Sequence, residues 1–163
     1  MLWVILALQA PPDSAARAMV YERLQVMTES VGALRGAAAH FRRDLDRASI
    51  QLVLARAGEV RSSCANARIA GDSLASPLAA RTYTPSRGER DQRALMQELV
   101  ALRRALQNCE REWDTRPGVL RADSLRAWGP FRLNELETLM RRYEQLAVPF
   151  SGFVAPPEPE SPR

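Results

Sequence analysis

The chain has 163 residues, a net charge of +4 and a pI of about 9.8, with 46% hydrophobic and 26% charged residues. That length holds one domain with a real core and leaves little room for a second. Aromatic and β-branched residues are few, whereas Ala, Leu, Arg and Glu, all good helix formers, abound, so the expected fold is all-α: an antiparallel bundle of about four helices with a kinked last helix. All 23 basic residues are arginine. The complete absence of lysine points to a coding bias rather than to an anionic partner, so the high pI says little about binding.

The opening residues, MLWVILALQAPPDS, run apolar from 2 to 8 and break at Pro11 and Pro12. They match the apolar region of an export signal at its short limit, with Ala10 as the last residue removed and no basic region ahead of it. Ten residues fall short of the roughly 20 that span a bilayer. Residues 1–10 are therefore expected to be a leader, residues 11–148 the bundle and residues 149–163 a Pro-rich flexible tail. An uncleaved leader would instead tether the chain to a membrane surface.

Val20, Leu24, Met27, Val31, Leu34, Ala38, Phe41 and Leu45 alternate spacings of four and three, which predicts a helix from 14 to about 47 with Ser14 as its N-cap. Gly32 and Gly36 interrupt the composition but not the phase, and the small residues from Gly36 to Ala39 would let a neighbouring helix approach. A second stripe, Ile50, Val53, Ala57, Val60, Cys64 and Ala67, predicts a helix over 50–70 capped by Ser49. One helix over 14–70 would be about 85 Å long, too long for a compact domain of this size. Gly71 is expected to end the second helix and Pro77 to break the chain, so that residues 71–88 form a long connection. Leu95, Leu99, Leu102, Leu106, Cys109 and Trp113 predict a third helix over 89–113. Pro117 and Gly118 predict a tight turn. A fourth helix is expected over 120–147, with Leu125, Trp128, Leu136, Leu139, Met140, Tyr143 and Leu146 inward and a kink or split at Pro130. Glu137 and Arg141 stand in favourable i, i+4 order.

Cys64 and Cys109 both fall on apolar stripes and would meet if the second and third helices are antiparallel neighbours. In an oxidising compartment they are expected to form a disulfide; in the cytosol they would pack as free thiols.

No catalytic, cofactor-binding or metal-binding residue is singled out. His40 is the one histidine, without the Glu-x-x-His spacing of di-metal bundles. Haem held by His40 and one of Met19, Met27, Met96 or Met140 is the remote cofactor reading. No Gly-rich phosphate loop or nucleophile elbow is present. Asp44 and Asp46 alternate with Arg42, Arg43 and Arg47 as a solvated face. The pairs Arg42-Arg43, Arg103-Arg104 and Arg141-Arg142 would bind phosphates only if they shared one surface. The expectation is an exported, periplasmic or extracellular, non-enzymatic structural or interaction module of the cell envelope with a protein partner. The alternatives are a basic intracellular bundle binding nucleic acid or an anionic partner, and a bundle holding haem or another small apolar ligand.

Overall fold

Four heptad-spaced apolar stripes become four helices in the computed structural model, which describes residues 12–46, 48–80, 86–116 and 121–156. They are α1 (Pro12–Asp44), α2 (Ile50–Ala79), α3 (Ser86–Glu112) and α4 (Ala122–Val154). Neighbours in sequence pack side by side, α4 closes back onto α1, and α1 and α3 stay apart on the diagonal. Arg35 reaches Glu144 and Arg42 reaches Glu137, so numbering rises along α1 as it falls along α4. The same antiparallel sense holds for α2 and α3, where Arg68 meets Glu110 and Asp72 meets Arg103. The fold is an all-α up-and-down bundle.

All eight stripe residues of α1 are buried. Their spacing keeps one seam facing the partners over about seven turns. The helix starts two residues earlier than expected: Pro12 lies in its first turn, where a missing N–H costs nothing, and Ser14 stands inside the helix rather than capping it. The chain breaks between 45 and 49, and Ser49 caps α2 by accepting from the Leu52 N–H at 3.3 Å. Ile50, expected inward, is exposed.

The larger correction concerns the end of α2. It runs through Gly71 and Pro77 to Ala79, so most of the expected long connection is helix. Leu74 and Leu78 continue the seam of Cys64 and Ala67, and both are fully buried. Burial of two leucines, about 2 kcal/mol each, offsets one glycine and a proline near a helix end. Gly71 is a contact, not a cap: a Cβ there would sit 3.0 Å from Arg103 Cγ and 3.5 Å from Leu99 Cδ1. The chain turns back into α3, where Gln92 donates to the Leu78 carbonyl at 2.5 Å, satisfying one of the acceptors left open at the end of α2.

In α4 the expected split at Pro130 is absent, and the helix passes through Pro130 and Pro149. The buried positions Leu125, Gly129 and Leu133 step four and four before the three-four alternation resumes, so the phase shifts where the helix was expected to break. The helix continues past Pro149, where the tail was expected to begin. Phe150 and Val154 are buried and extend the helix by two turns, while residues 157–163 lie outside the described residues. Trp128, Leu139 and Leu146 flank the core, half-buried, rather than filling it. The leader 1–10 and the turn at Pro117 and Gly118 also lie outside the described residues.

One end of the core is aromatic. Trp113 meets Phe41 edge-on at 4.8 Å and Trp128 at 5.2 Å. A Cβ on Gly129 would lie 3.0 Å from two ring carbons of Phe41 and 3.4 Å from Trp113. Glycine-to-alanine in a helix normally gains about 1 kcal/mol. At Gly129 the sign should reverse, because rigid rings must move: Gly129→Ala is expected to lose about 1 kcal/mol, read as a lower thermal midpoint. An unchanged or higher midpoint would contradict this packing.

Candidate interaction surface

Several arginines are spent between helices. Arg42 donates to Glu137 and to Asn134, and Arg56 joins Asp44 at 2.7 Å. The stretch expected to be a solvated face therefore ties α1 to α4 and α2, and Glu137 pairs across helices rather than with Arg141. Arg103 is held by Asp72, Arg35 by Glu144 and Arg126 by the carbonyls of Leu45 and Ala48. Arg42-Arg43 and Arg103-Arg104 sit on helices that do not touch. The three arginine pairs do not converge on one surface.

Two carboxylates are held below the usual range. Asp44 is lowered by hydrogen bonds from Arg56 and then Arg43. Asp114 is lowered by the side chain and then the backbone N–H of Arg116. Both bind fewer protons in the fold than in the unfolded chain. Their contribution is therefore present above the ordinary carboxylate value of about 4 and is lost as pH falls through the lowered values. The thermal midpoint should drop below about pH 4, and Asp44→Asn should flatten part of that drop; an identical acid profile in the variant would show that Asp44 does not contribute.

Cys64 and Cys109 stand at disulfide distance, with sulfurs 2.06 Å and Cα atoms 6.1 Å apart. The pair joins α2 to α3 in the middle of the bundle. Beside it an open groove of about 450 Å³ runs between α3 and α4, floored by Cys109, Trp113 and Leu136 and edged by Glu112, Arg132 and Arg142. Its rim carries both signs of charge, and Arg132 is already shared between Glu112 and Glu135.

His40 is exposed on α1, whereas Met27 and Met140 are fully buried, so the residues of the haem reading are not brought together. Among the described residues no cluster of three or more His, Cys, Asp or Glu side chains could hold a metal ion. The Tyr143 hydroxyl is buried, faces Thr28 without reaching hydrogen-bond geometry, and is pushed up in pKa by burial. It is a core group with no route to solvent.

The four outer faces differ. Those of α3 and α4 carry Arg90, Arg93, Arg104, Arg111, Arg132, Arg141 and Arg142 among their exposed residues. On α2, the exposed positions from 62 to 76 are Ser62, Asn66, Ile69 and Ser76, none of them charged. On α1, the exposed positions from 32 to 40 are Gly32, Ala33, Arg35, Gly36, Ala39 and His40. Arg35 leans to α4 and bonds Glu144 at 2.6 Å. Nothing comes within 4 Å of a Cβ placed on Gly32 or Gly36. Met19 and Val26, exposed by 51% and 39%, continue this face toward the start of the helix.

The expectation that small residues of α1 admit a neighbour divides along the helix wheel. Ala37 and Ala38 are buried in the bundle, while Gly36 and Ala39 face out. Glu29 and Ala33 join Gly32 and Arg43 on this face without a motif to mark them in the sequence. The signal was there: counted from the core seam, they occupy the opposite side of the helix. No family model matches the chain, and neither do any curated protein or solved structure compared with it.

Proposed function

We propose that this chain is an exported, non-enzymatic helical bundle of the cell envelope that presents the outer face of α1 and α2 to a protein partner. The observation that carries the reading is the contrast between faces. The outer faces of α3 and α4 show arginine to solvent along their length, whereas α1 from 32 to 40, apart from Arg35, and α2 from 62 to 76 show uncharged, mostly small side chains, which allow close backbone approach with little desolvation of charge. The Cys64–Cys109 pair fits an oxidising compartment, where it would tie α2, one of the two helices of the face, to α3 behind it. No helix among the described residues is long and apolar enough to cross a membrane.

The test places a photoreactive side chain in the native host, at Ala39 on the proposed face or at Gln97 on the exposed side of α3. Adducts from Ala39 and none from Gln97 are expected. Equal labelling, or none at either position, would overturn the reading. Intact mass of the exported protein under non-reducing conditions should show loss of the leader and of two hydrogens; a full-length, reduced product would overturn the export part.

A further inference from the structure

We propose that the partner on this face is a second copy of the chain, docked antiparallel along α1 with a two-fold axis at Gly36. The inference rests on α1 being the interaction surface and adds the identity of the occupant.

Opposite charges are spaced symmetrically about a glycine on α1. Glu29 lies seven residues before Gly36 and Arg43 seven after it, and all three are exposed on one line of the helix. Seven residues are two turns, about 10 Å along the axis. In an isologous antiparallel pair, a residue a given number of positions before the axis faces the residue the same number after it. Glu29 of each copy then faces Arg43 of the other, twice. Ala33 faces Ala39, Gly32 faces His40, and Gly36 faces itself. The centre holds no side chain that would keep the backbones apart, and nothing of the bundle occupies that space.

Glu29 is free to pair, and Arg43 keeps its terminal guanidinium nitrogens available beside its one bond to Asp44. Glu29 makes no hydrogen bond or ion pair among the described residues. The Arg43 side chain is 64% exposed and touches Asp44 at 3.3 Å, while Asp44 is held more closely by Arg56 at 2.7 Å. Alignment with the copies parallel would set Glu29 on Glu29 and Arg43 on Arg43, so charge selects the antiparallel arrangement. A foreign partner would require no symmetry of opposite charges about a glycine; a second copy does.

The full chain is examined by sedimentation equilibrium, with circular dichroism to check that each variant is folded. Wild type is expected to dimerise reversibly, and Gly36→Arg to be monomeric. Glu29→Arg sets Arg against Arg at both contacts, and Arg43→Glu sets Glu against Glu, so each should weaken the dimer roughly tenfold or more. An equimolar mixture of these two variants restores opposite charges at both contacts and should dimerise like wild type. A monomeric wild type, or a mixture no tighter than its components, overturns the proposal. The Ala39 photoadduct separates the two levels. An adduct of twice the chain mass supports a second copy, an adduct to a different protein overturns it while keeping the interaction face, and no adduct overturns both.

Discussion

Reducing the bond between Cys64 and Cys109 should destabilise the bundle by about 4 kcal/mol. The two positions are 45 residues apart. In the chain-entropy account, closing a loop of that length removes this much freedom from the unfolded chain. For a chain of this size, each kcal/mol moves the thermal midpoint by about 2–4 °C, so a drop of roughly 8–16 °C is expected on adding reductant. The Cys64→Ala, Cys109→Ala double variant should lie at least as low and should not respond to reductant. A wild-type midpoint that does not move with reductant would mean that the pair contributes no covalent restraint. The contribution acts through the unfolded state, so the far-ultraviolet helix signal at 20 °C should barely change.

Trp113→Ala should cost a similar amount by a different route. Trp113 is 1% exposed and sits edge-on to both Phe41 and Trp128. Truncating a buried tryptophan removes its transfer free energy and leaves a cavity that rigid neighbours fill poorly, about 3–5 kcal/mol in all. Against the 5–15 kcal/mol that holds an ordinary domain together, this is a large share. Chemical denaturation should show a lower midpoint with little change in slope; a shift below 1 kcal/mol would mean that the aromatic end is not part of the cooperative core. Cys109 in α3 and Trp113 just past its end are one turn apart and border the same groove. The two losses should therefore couple rather than add, which a double-mutant cycle would show.

What the amino-acid order disclosed and what it hid divide along one physical line. The eight seam residues of α1 and the six of α3 could be read directly, because alternation of three and four fixes a helix face without knowledge of its neighbours. The ends of α2 and α4 are hidden for a single reason: Gly71, Pro77 and Pro149 read locally as breaks, while Leu74, Leu78, Phe150 and Val154 keep the seam running past them. Tertiary burial overrides intrinsic preference when the phase is continuous. The ion pairs from Arg42 to Glu137 and from Arg56 to Asp44 were hidden for another reason. Partner choice among 23 arginines depends on which helix lies beside which, and composition holds no record of that. The outer face of α1 lay between these cases. Its residues were visible, but their solvent side becomes evident only once the core seam has been assigned.

The contact from Gln92 to the Leu78 carbonyl bears on the order in which the molecule is made. Leucine and alanine repeating at heptad spacing fit nearly as well after one helix slides by seven residues along the other. Such a slide would carry Cys109 about 10 Å away from Cys64. It would also strand the buried Gln92 amide opposite a carbonyl already engaged within its own helix, a loss of 1–3 kcal/mol that the sliding leucines do not feel. A hairpin that packs before oxidation would be held by this amide in the register that also sets Cys64 beside Cys109.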